Sequence, residues 1–269
     1  MLDCLVNGEI SELLHVGNRG LNYGDGLFET LLVENGRPRG WQAHMERLGD
    51  GCRRLKLDMP PQALLLREVQ TVGAGAPRRV VKIVLLRSGD ARGYAPGAGA
   101  CTRVVSSHAF PDDADAWALN GVRTKICSLR LAMQPALGGI KHLNRLEQVL
   151  ASAEIQGQSV EEGILLDQED HVVSAISANV FVVVDRRLLT PRLDRCGVRG
   201  VVRGQVLSAF GSRCERRRIH AEMLAEADEV FICNSLRGIV PVTMIDDLEY
   251  PLGPVSRELQ GWFVSGGRQ

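Results

Sequence analysis

The sequence Gly-Gly-Ile-Lys-His-Leu-Asn-Arg occupies residues 138–145, and it leads into the clearest helical pattern of the chain. From residue 142 to residue 156 apolar side chains recur on one face, which predicts an amphipathic helix. The lysine of this stretch, Lys141, is one of four lysines among 32 basic residues. An ammonium group can lose its proton and form a Schiff base, whereas a guanidinium cannot. Lys141 is therefore a candidate for covalent chemistry, and the simpler interpretation of its spacing alone is a surface lysine.

Regular structure is predicted on both sides of this stretch, in an order that mixes strands and helices. Asn-Gly pairs at residues 7–8 and 35–36 predict hairpin turns, and apolar residues at helical spacing from Trp41 to Leu55 predict a helix. The other segments with a regular pattern are strands at 27–33, 80–86, 102–107, 122–127, 162–166, 180–184 and 229–233, and helices at 63–69 and 201–210. Because this order has no strict βαβ rhythm, the sequence predicts an α+β fold with a barrel-like second domain.

An acidic segment near the middle of the chain predicts a domain boundary. Residues 111–115 read Pro-Asp-Asp-Ala-Asp and lack apolar periodicity, which is typical of a linker. We expect a small N-terminal α/β domain at residues 1–111, a linker at 112–119 and a larger C-terminal domain at 120–269. A chain of 269 residues is long enough for two such domains.

Composition argues against several classes of protein. The formal net charge is zero and the pI is about 7.0, so no electrostatic footprint for nucleic acid is expected. The sequence has no apolar run of about 18 residues and no signal-peptide layout, so we expect a cytoplasmic protein without a membrane span. Its seven cysteines are widely spaced and form no C-x-x-C pair, so neither a metal site nor a redox motif is expected.

Three segments are candidates for binding a phosphate group. Arg47 falls on the first predicted helix, where a guanidinium could clamp phosphate oxygens. Residues 197–203 run from a glycine loop into a helix, whose first N–H groups attract anions, and residues 233–238 follow an apolar strand. Each has a plain alternative: a solvated arginine, an ordinary loop-to-helix junction and a turn. Taken with a lysine suited to Schiff-base formation, the three segments favour pyridoxal phosphate as the cofactor.

Several spaced motifs carry a resemblance to a known family. Asn-Tyr-Gly-Asp-Gly-Leu-Phe-Glu-Thr at residues 22–30 resembles the N-terminal signature of the fold-type IV pyridoxal-phosphate enzymes. Further motifs follow in the family's order at residues 43–48, 140–146, 178–181, 190–191 and 234–235. This family includes branched-chain and D-amino-acid aminotransferases and aminodeoxychorismate lyases. The resemblance spans nearly the whole chain and implies a homodimer with the cofactor between a small and a larger domain.

The resemblance also implies roles for individual residues. Lys141 matches the Schiff-base lysine, and the residues that match cofactor-binding positions are Arg47, Ser174, Val201, Val202, Asn234 and Ser235. Substrate-side positions are matched by Thr30 and Asn234, with Thr30 also in a catalytic role. Arg92 and Tyr94 lie on a loop that could receive a substrate carboxylate.

One position departs from the family pattern. Five residues before the Asn of its Asn-x-Phe motif the family usually has a glutamate that pairs with the pyridine nitrogen, and here that position is Ser174. A carboxylate keeps this nitrogen protonated and makes the ring a strong electron sink, which a hydroxyl does not do. A lyase reaction that ends in an aromatic ring depends less on a strong electron sink, because aromatisation itself drives the electron flow. The alternative is that the motif is misaligned by a few residues, or that a carboxylate from another part of the chain, such as Asp170, pairs with the pyridine nitrogen.

Within the family the closest resemblance is to the aminodeoxychorismate lyases. It rests on Lys-His-Leu-Asn-Arg at residues 141–145, Arg-Gly-Tyr at 92–94 and Ile-Cys-Asn-Ser at 232–235. We therefore expect a lyase that converts 4-amino-4-deoxychorismate into 4-aminobenzoate and pyruvate, towards folate. The alternatives are a D-amino-acid or branched-chain aminotransferase and a family member that binds a ligand without turnover.

Overall fold

The computed structural model describes residues 4–89, 93–97 and 101–267, which fall into two compact units. The first unit comprises Met1–Pro111 together with Ile140–Asn144, and the second comprises Asp112–Gly139 and Arg145–Gln269. A short helix, α4 (Ala114–Asn120), overlaps residues 112–119, which the sequence predicts as a linker. No helix within the described residues is long and apolar enough to cross a membrane.

A mixed layer of sheet and helices forms the first unit. In its described residues six strands pair in the order β2-β1-β6-β5-β3-β4. They are β1 (Cys4–Val6), β2 (Glu9–Ile10), β3 (Gly26–Glu34), β4 (Arg37–Pro38), β5 (Arg78–Arg87) and β6 (Cys101–Ala109). The helices are α1 (Arg19–Tyr23), α2 (Trp41–Leu55) and α3 (Gln62–Val72). Both predicted Asn-Gly hairpins are confirmed, because Asn7 and Asn35 have φ values of 54° and 50° and begin the turns between paired strands.

Residues 140–144 lie along the start of β3, and His142 forms an isolated antiparallel bridge with Leu27. The Phe28 N–H donates to the Lys141 carbonyl at 2.9 Å, and the Leu143 N–H donates to the Gly26 carbonyl at 3.1 Å. The helix predicted from residue 142 was therefore placed too early, since α5 spans Leu146–Ile155. These backbone groups bond to β3 and are not available for the first helical turn.

A larger mixed sheet forms the second unit. Among the described residues its main path runs β12-β11-β10-β13-β14-β7-β8-β9, with β15 paired to β14. The strands are β7 (Val122–Leu131), β8 (Glu162–Asp167), β9 (Val172–Ala175), β10 (Asn179–Val184), β11 (Arg187–Pro191), β12 (Cys214–Arg217), β13 (Glu229–Asn234), β14 (Gly238–Ile245) and β15 (Leu248–Glu249). The helices α6 (Val201–Ala209) and α7 (Pro254–Trp262) pack on this sheet.

The second sheet curls, because its last strand returns to its middle. The Ala175 N–H at the end of β9 donates to the Ala178 carbonyl at 2.8 Å, just before β10 begins. Branched side chains from β8, β9, β10, β13 and β14 fill the resulting interior, and Val180, Val230 and Val242 are among them. The predicted α+β class with a barrel-like second sheet is confirmed, and the turn at residues 176–178 sets one rim of that sheet.

Candidate functional site

Lys141 lies beside β3, on the segment of residues 140–144 described above. Its Nζ is 4.2 Å from the centroid of the Phe28 ring. Side chains alternate along a strand, so Thr30 projects from the same face of β3 as Phe28. The structure therefore brings Lys141 close to the strand face that carries Thr30. A primary amine in this position can add to a carbonyl carbon once it is deprotonated.

Arg47 lies on α2 and pairs with Glu29, which projects from the opposite face of β3. Its Nε donates to Glu29 Oε1 at 2.8 Å and its Nη2 donates to Glu29 Oε2 at 2.5 Å. His44 Nδ1 lies 2.6 Å from the same Oε2. Burial alone would raise the pKa of Glu29, but the charge and hydrogen bonds of Arg47, with the hydrogen bond of His44, lower it to about 2. Burial lowers the pKa of His44, so this cluster holds a carboxylate, a guanidinium and a neutral imidazole.

Acid should remove the stability that Glu29 contributes. Its pKa falls from 4.5 in the unfolded chain to about 2 in the folded one, so the contribution is complete above the first value and is lost as the pH falls through the second. From the size of this shift we expect a loss of about 3 kcal/mol. Urea unfolding at about pH 6 and about pH 2.5 should show the wild type losing more stability than Glu29→Gln. Equal losses in the two proteins would contradict this assignment.

The N-cap residue of α6 is a glycine, which has no side chain to cap the first backbone N–H groups of the helix. Gly200 precedes it, and the first helical bond runs from the Gly204 N–H to the Gly200 carbonyl at 3.0 Å. The N–H groups of Val201 and Val202 therefore precede the helical ladder, while the Val202 side chain is anchored in the core beneath. The first turn has no acidic residue, so this helix start is suited to an anion.

Asn179 fixes the loop in front of α6. Its Oδ1 accepts the Gly200 N–H at 2.9 Å, and its Nδ2 donates to the Val198 carbonyl at 2.9 Å. A Cβ at residue 200 would lie 2.0 Å from Asn179 Oδ1, so the loop needs a glycine there. Asn179 begins β10 opposite Cys233, the neighbour of Asn234. The start of α6 and the end of β13 thus meet at one rim of the sheet.

Asn234 organises the turn after β13. Its Oδ1 accepts the N–H groups of Leu236 at 3.0 Å and Arg237 at 2.8 Å. Its Nδ2 lies 3.4 Å from the carbonyl of Ser177, which belongs to the turn between β9 and β10. Ser235 follows directly in the chain. The candidates Val201, Val202, Asn234 and Ser235 are therefore assembled by elements of one unit.

Ser174 is buried on β9, opposite Leu165 of β8. Asp170, the alternative carboxylate, is instead exposed and pairs with Arg130, whose Nε donates to it at 2.9 Å. A buried carboxylate does lie near the end of β9: Glu162 accepts the Ser177 hydroxyl at 2.6 Å. Burial raises the pKa of Glu162.

The structure describes one of the two candidates for receiving a substrate carboxylate, Tyr94. Arg92 lies outside the described residues. Tyr94 is 90% exposed, and its ring meets that of Tyr23 edge to face with centroids 5.9 Å apart. Gly93, between them in the chain, is held by Arg19 Nη1, which donates to its carbonyl at 2.9 Å.

Sequence reasoning missed three residues of these arrangements: Glu29, His44 in its contact with Glu29, and Asn179 as a loop anchor. Strand alternation could have identified Glu29, because a charged residue on the helix-covered face of β3 requires a partner. The other two depend on contacts between segments far apart in the chain.

The cysteines provide no activated nucleophile. All seven are free, and burial raises the pKa of each thiol, reaching about 12 for Cys52 and Cys233. Thiols with raised pKa values are poor nucleophiles at neutral pH. Within the described ranges, no group of three or more His, Cys, Asp and Glu side chains could hold a metal ion.

The chain is similar to several known proteins over nearly its full length. The model of the amino-transferase class IV family matches residues 26–245. The aminodeoxychorismate lyase of Vibrio harveyi is 36% identical, over 95% of this chain and 97% of that protein. The crystal structure of 4-amino-4-deoxychorismate lyase from Pseudomonas aeruginosa has a TM-score of 0.92 and 41% identity, with 98% of each chain covered. A branched-chain aminotransferase from Thermoproteus uzoniensis is 23% identical with a TM-score of 0.87, covering 98% of this chain and 93% of that one. This second likeness is evidence for the fold only.

Proposed function

The chain belongs to the amino-transferase class IV family, and from that premise we propose that it is a pyridoxal-phosphate-dependent lyase. Its reaction converts 4-amino-4-deoxychorismate into 4-aminobenzoate and pyruvate, a step towards folate. The likeness to two aminodeoxychorismate lyases over almost the full chain supports the choice of reaction. The structural observation that carries the proposal is the Lys141 amine, 4.2 Å from the Phe28 ring on the face of β3 that bears Thr30.

The residues present fit this cofactor. Lys141 supplies the amine that attaches the cofactor aldehyde, and Arg47 supplies a guanidinium whose orientation the buried Glu29 fixes. The glycine-capped start of α6, with the N–H groups of Val201 and Val202, suits a phosphate group. In the proposal Asn234 and Ser235 complete these contacts. When bound, the cofactor supplies a conjugated ring that withdraws electrons from the amine-bearing carbon of the substrate.

The reaction needs one proton moved and one carbon–oxygen bond broken. Lys141 takes the proton from the amine-bearing ring carbon of the substrate as a general base. The enolpyruvyl group then leaves with the electrons of its bond to the ring, and the ring becomes aromatic. Lys141 returns the proton to the departing group, which becomes pyruvate, and Thr30 holds that group in place. Arg92 and Tyr94 receive a substrate carboxylate in this proposal.

The deciding experiment is incubation of the purified chain, supplied with pyridoxal phosphate, with 4-amino-4-deoxychorismate. Equimolar 4-aminobenzoate and pyruvate are expected. Amino transfer from D-alanine or from branched-chain amino acids to 2-oxoglutarate, without 4-aminobenzoate, would assign an aminotransferase instead. Binding of pyridoxal phosphate with neither reaction would indicate a ligand-binding member of the family and overturn the proposal.

Ser174→Glu should shift the balance between elimination and amino transfer. In the proposal the Ser174 hydroxyl faces the pyridine nitrogen, and a carboxylate there would keep that nitrogen protonated. We expect the ratio of side transamination to elimination to rise by about tenfold, roughly the effect of one pKa unit or 1.4 kcal/mol on a rate. Both products are measured in one reaction mixture. Ser208→Glu, at an exposed serine near the end of α6, is the control. An unchanged ratio in Ser174→Glu would contradict this role.

We also propose a cytoplasmic homodimer. Three large apolar side chains, Leu146, Val149 and Leu150, lie exposed on the single helix α5. Contiguous apolar surface of this kind is typical of protein interfaces. Light scattering should give twice the chain mass of 29.4 kDa, and Leu150→Arg should shift the protein towards the monomer.

A further inference from the structure

A buried cluster of charged side chains lies in the first unit where α2 meets β3. Glu29 receives three nitrogen contacts: His44 Nδ1 at 2.6 Å, Arg47 Nε at 2.8 Å and Arg47 Nη2 at 2.5 Å. The side chains of Glu29 and His44 are each 1% exposed, and that of Arg47 is 12% exposed. One carboxylate therefore binds two nitrogen-bearing side chains of the same helix, an arginine and a histidine.

The protonation of this cluster follows from its contacts. A guanidinium is always charged, so Glu29 accepts two charge-assisted bonds from Arg47 and is ionised. An ionised carboxylate has only acceptor atoms, so His44 Nδ1 must carry the proton that joins the two groups. Arg47, Glu29 and Lys141 are the charged groups that act on His44. With Arg47 and Lys141 both disfavouring a further positive charge, the imidazole is neutral and held in one tautomer.

The geometry also fixes the direction of Arg47. Its Nε and Nη2 form one edge of the planar guanidinium, and both bond to the same carboxylate. Two parallel bonds set the plane of the group as well as its position. A flexible arginine loses rotamer freedom when it binds an anion, and an arginine that is already oriented loses less.

Stability alone does not account for this arrangement. A buried ion pair often stabilises a protein no more than apolar side chains of the same volume, because both charges must leave water. The same strand carries a more exposed counterpart, Glu34, whose side chain is 20% exposed and accepts Arg39 Nε at 2.9 Å. The two pairs have similar chemistry and differ in burial, which makes the more exposed pair a natural control.

We propose that Glu29 is a positioning residue, which orients the Arg47 guanidinium and the His44 tautomer so that Arg47 meets a phosphate ester already aligned. This inference rests on the proposed function, because it takes pyridoxal phosphate to be the phosphate ester. It assigns to Glu29 no contact with the cofactor and no step of proton transfer.

The test compares two ligands that differ only in the phosphate group. Dissociation constants of pyridoxal phosphate and pyridoxal are measured by fluorescence for the wild type, Glu29→Gln and the control Glu34→Gln. We expect Glu29→Gln to bind pyridoxal phosphate roughly 10- to 100-fold more weakly, a range typical when an orienting partner is lost. Its affinity for pyridoxal should stay within about twofold of the wild type, and Glu34→Gln should change neither constant.

A double-mutant cycle and a nuclear magnetic resonance measurement separate positioning from a structural role. If Glu29 acts through Arg47, adding Glu29→Gln to Arg47→Met should cause no further loss of affinity for pyridoxal phosphate. The ¹⁵N shifts of His44 should show a protonated Nδ1 in the wild type. Where circular dichroism shows that Glu29→Gln does not fold, Glu29→Asp replaces it with the same expectations.

Equal weakening of both ligands, or none, would overturn the positioning role. A wild-type chain that binds no pyridoxal phosphate would instead overturn the proposed function. A wild type that binds the cofactor through Lys141, beside a Glu29→Gln variant with unchanged affinity, would overturn this inference alone.

Discussion

Lys141→Ala is expected to abolish both covalent attachment of pyridoxal phosphate and turnover of 4-amino-4-deoxychorismate. Alanine has no amine to add to the cofactor aldehyde and no group to move the proton in the elimination. Loss of a general base alone lowers rates by about 10²- to 10⁴-fold, and loss of the attachment adds to that. Borohydride reduction followed by mass spectrometry should show a pyridoxyl adduct on the wild type at Lys141 and no adduct on the variant.

Lys82→Ala is the matched control for this result. Lys82 Nζ lies 5.1 Å from the centroid of the same Phe28 ring, so it tests whether any lysine near this ring suffices. We expect Lys82→Ala to keep the adduct and most of the turnover. An adduct on Lys82 in the wild type, or turnover in Lys141→Ala close to that of the wild type, would refute the assignment of Lys141.

Asn179→Asp should weaken binding of pyridoxal phosphate by roughly 100-fold, with little change in the size of the side chain. Asn179 is 6% exposed and holds both Val198 and Gly200 ahead of α6. An aspartate would lose the bond to the Val198 carbonyl and would place a negative charge beside the proposed phosphate position. Two like charges near a protein surface repel by up to about 4 kcal/mol at close range. Fluorescence titration of the apoprotein measures the change.

The charge-matched control is Asn22→Asp, at a residue of the first unit whose Nδ2 donates to the Val16 carbonyl at 2.8 Å. This substitution introduces the same charge and removes the same kind of donor. We expect the affinity of Asn22→Asp for pyridoxal phosphate to change by less than about threefold, as for surface substitutions in general. Comparable losses in the two variants would show that net charge, and not the loop before α6, is responsible.

Much of the fold could be predicted because its signals are local. Alternation and turn residues located the hairpins around Asn7 and Asn35, and the strand at residues 27–33 is confirmed within β3. The fold-type IV architecture implied by the ordered motifs is confirmed by solved structures. The start of α5 was predicted wrongly, because residues 142–145 have helical apolar spacing and yet bond to β3 or precede the helix.

The residues of the candidate site also fall into those with a local sequence signal and those that depend on tertiary contacts. Lys141 and Arg47 could be selected from composition, helical spacing and motif order. The carboxylate that orients Arg47 could not, because the pairing of Glu29 with α2 depends on how that helix packs on the sheet. The role of Asn179 likewise depends on contacts with residues about 20 positions later. Roles of Ser174, Thr30, Asn234 and Ser235 remain predictions that the variants above and the product assay will test.

The membership of residues 140–144 in the first unit has a practical consequence for dividing this protein. The chain enters that unit at Ile140 and leaves it after Asn144, while residues on both sides belong to the second unit. A single cut near residue 111 would yield an N-terminal fragment that lacks residues 140–144, which bond to β3 in the intact chain, and with them the Lys141 amine. The amine would remain on the other fragment, away from Phe28 and Thr30. Neither half could then be expected to carry the chemistry alone, and activity recovered on mixing the two would report that residues 140–144 had paired with β3 again.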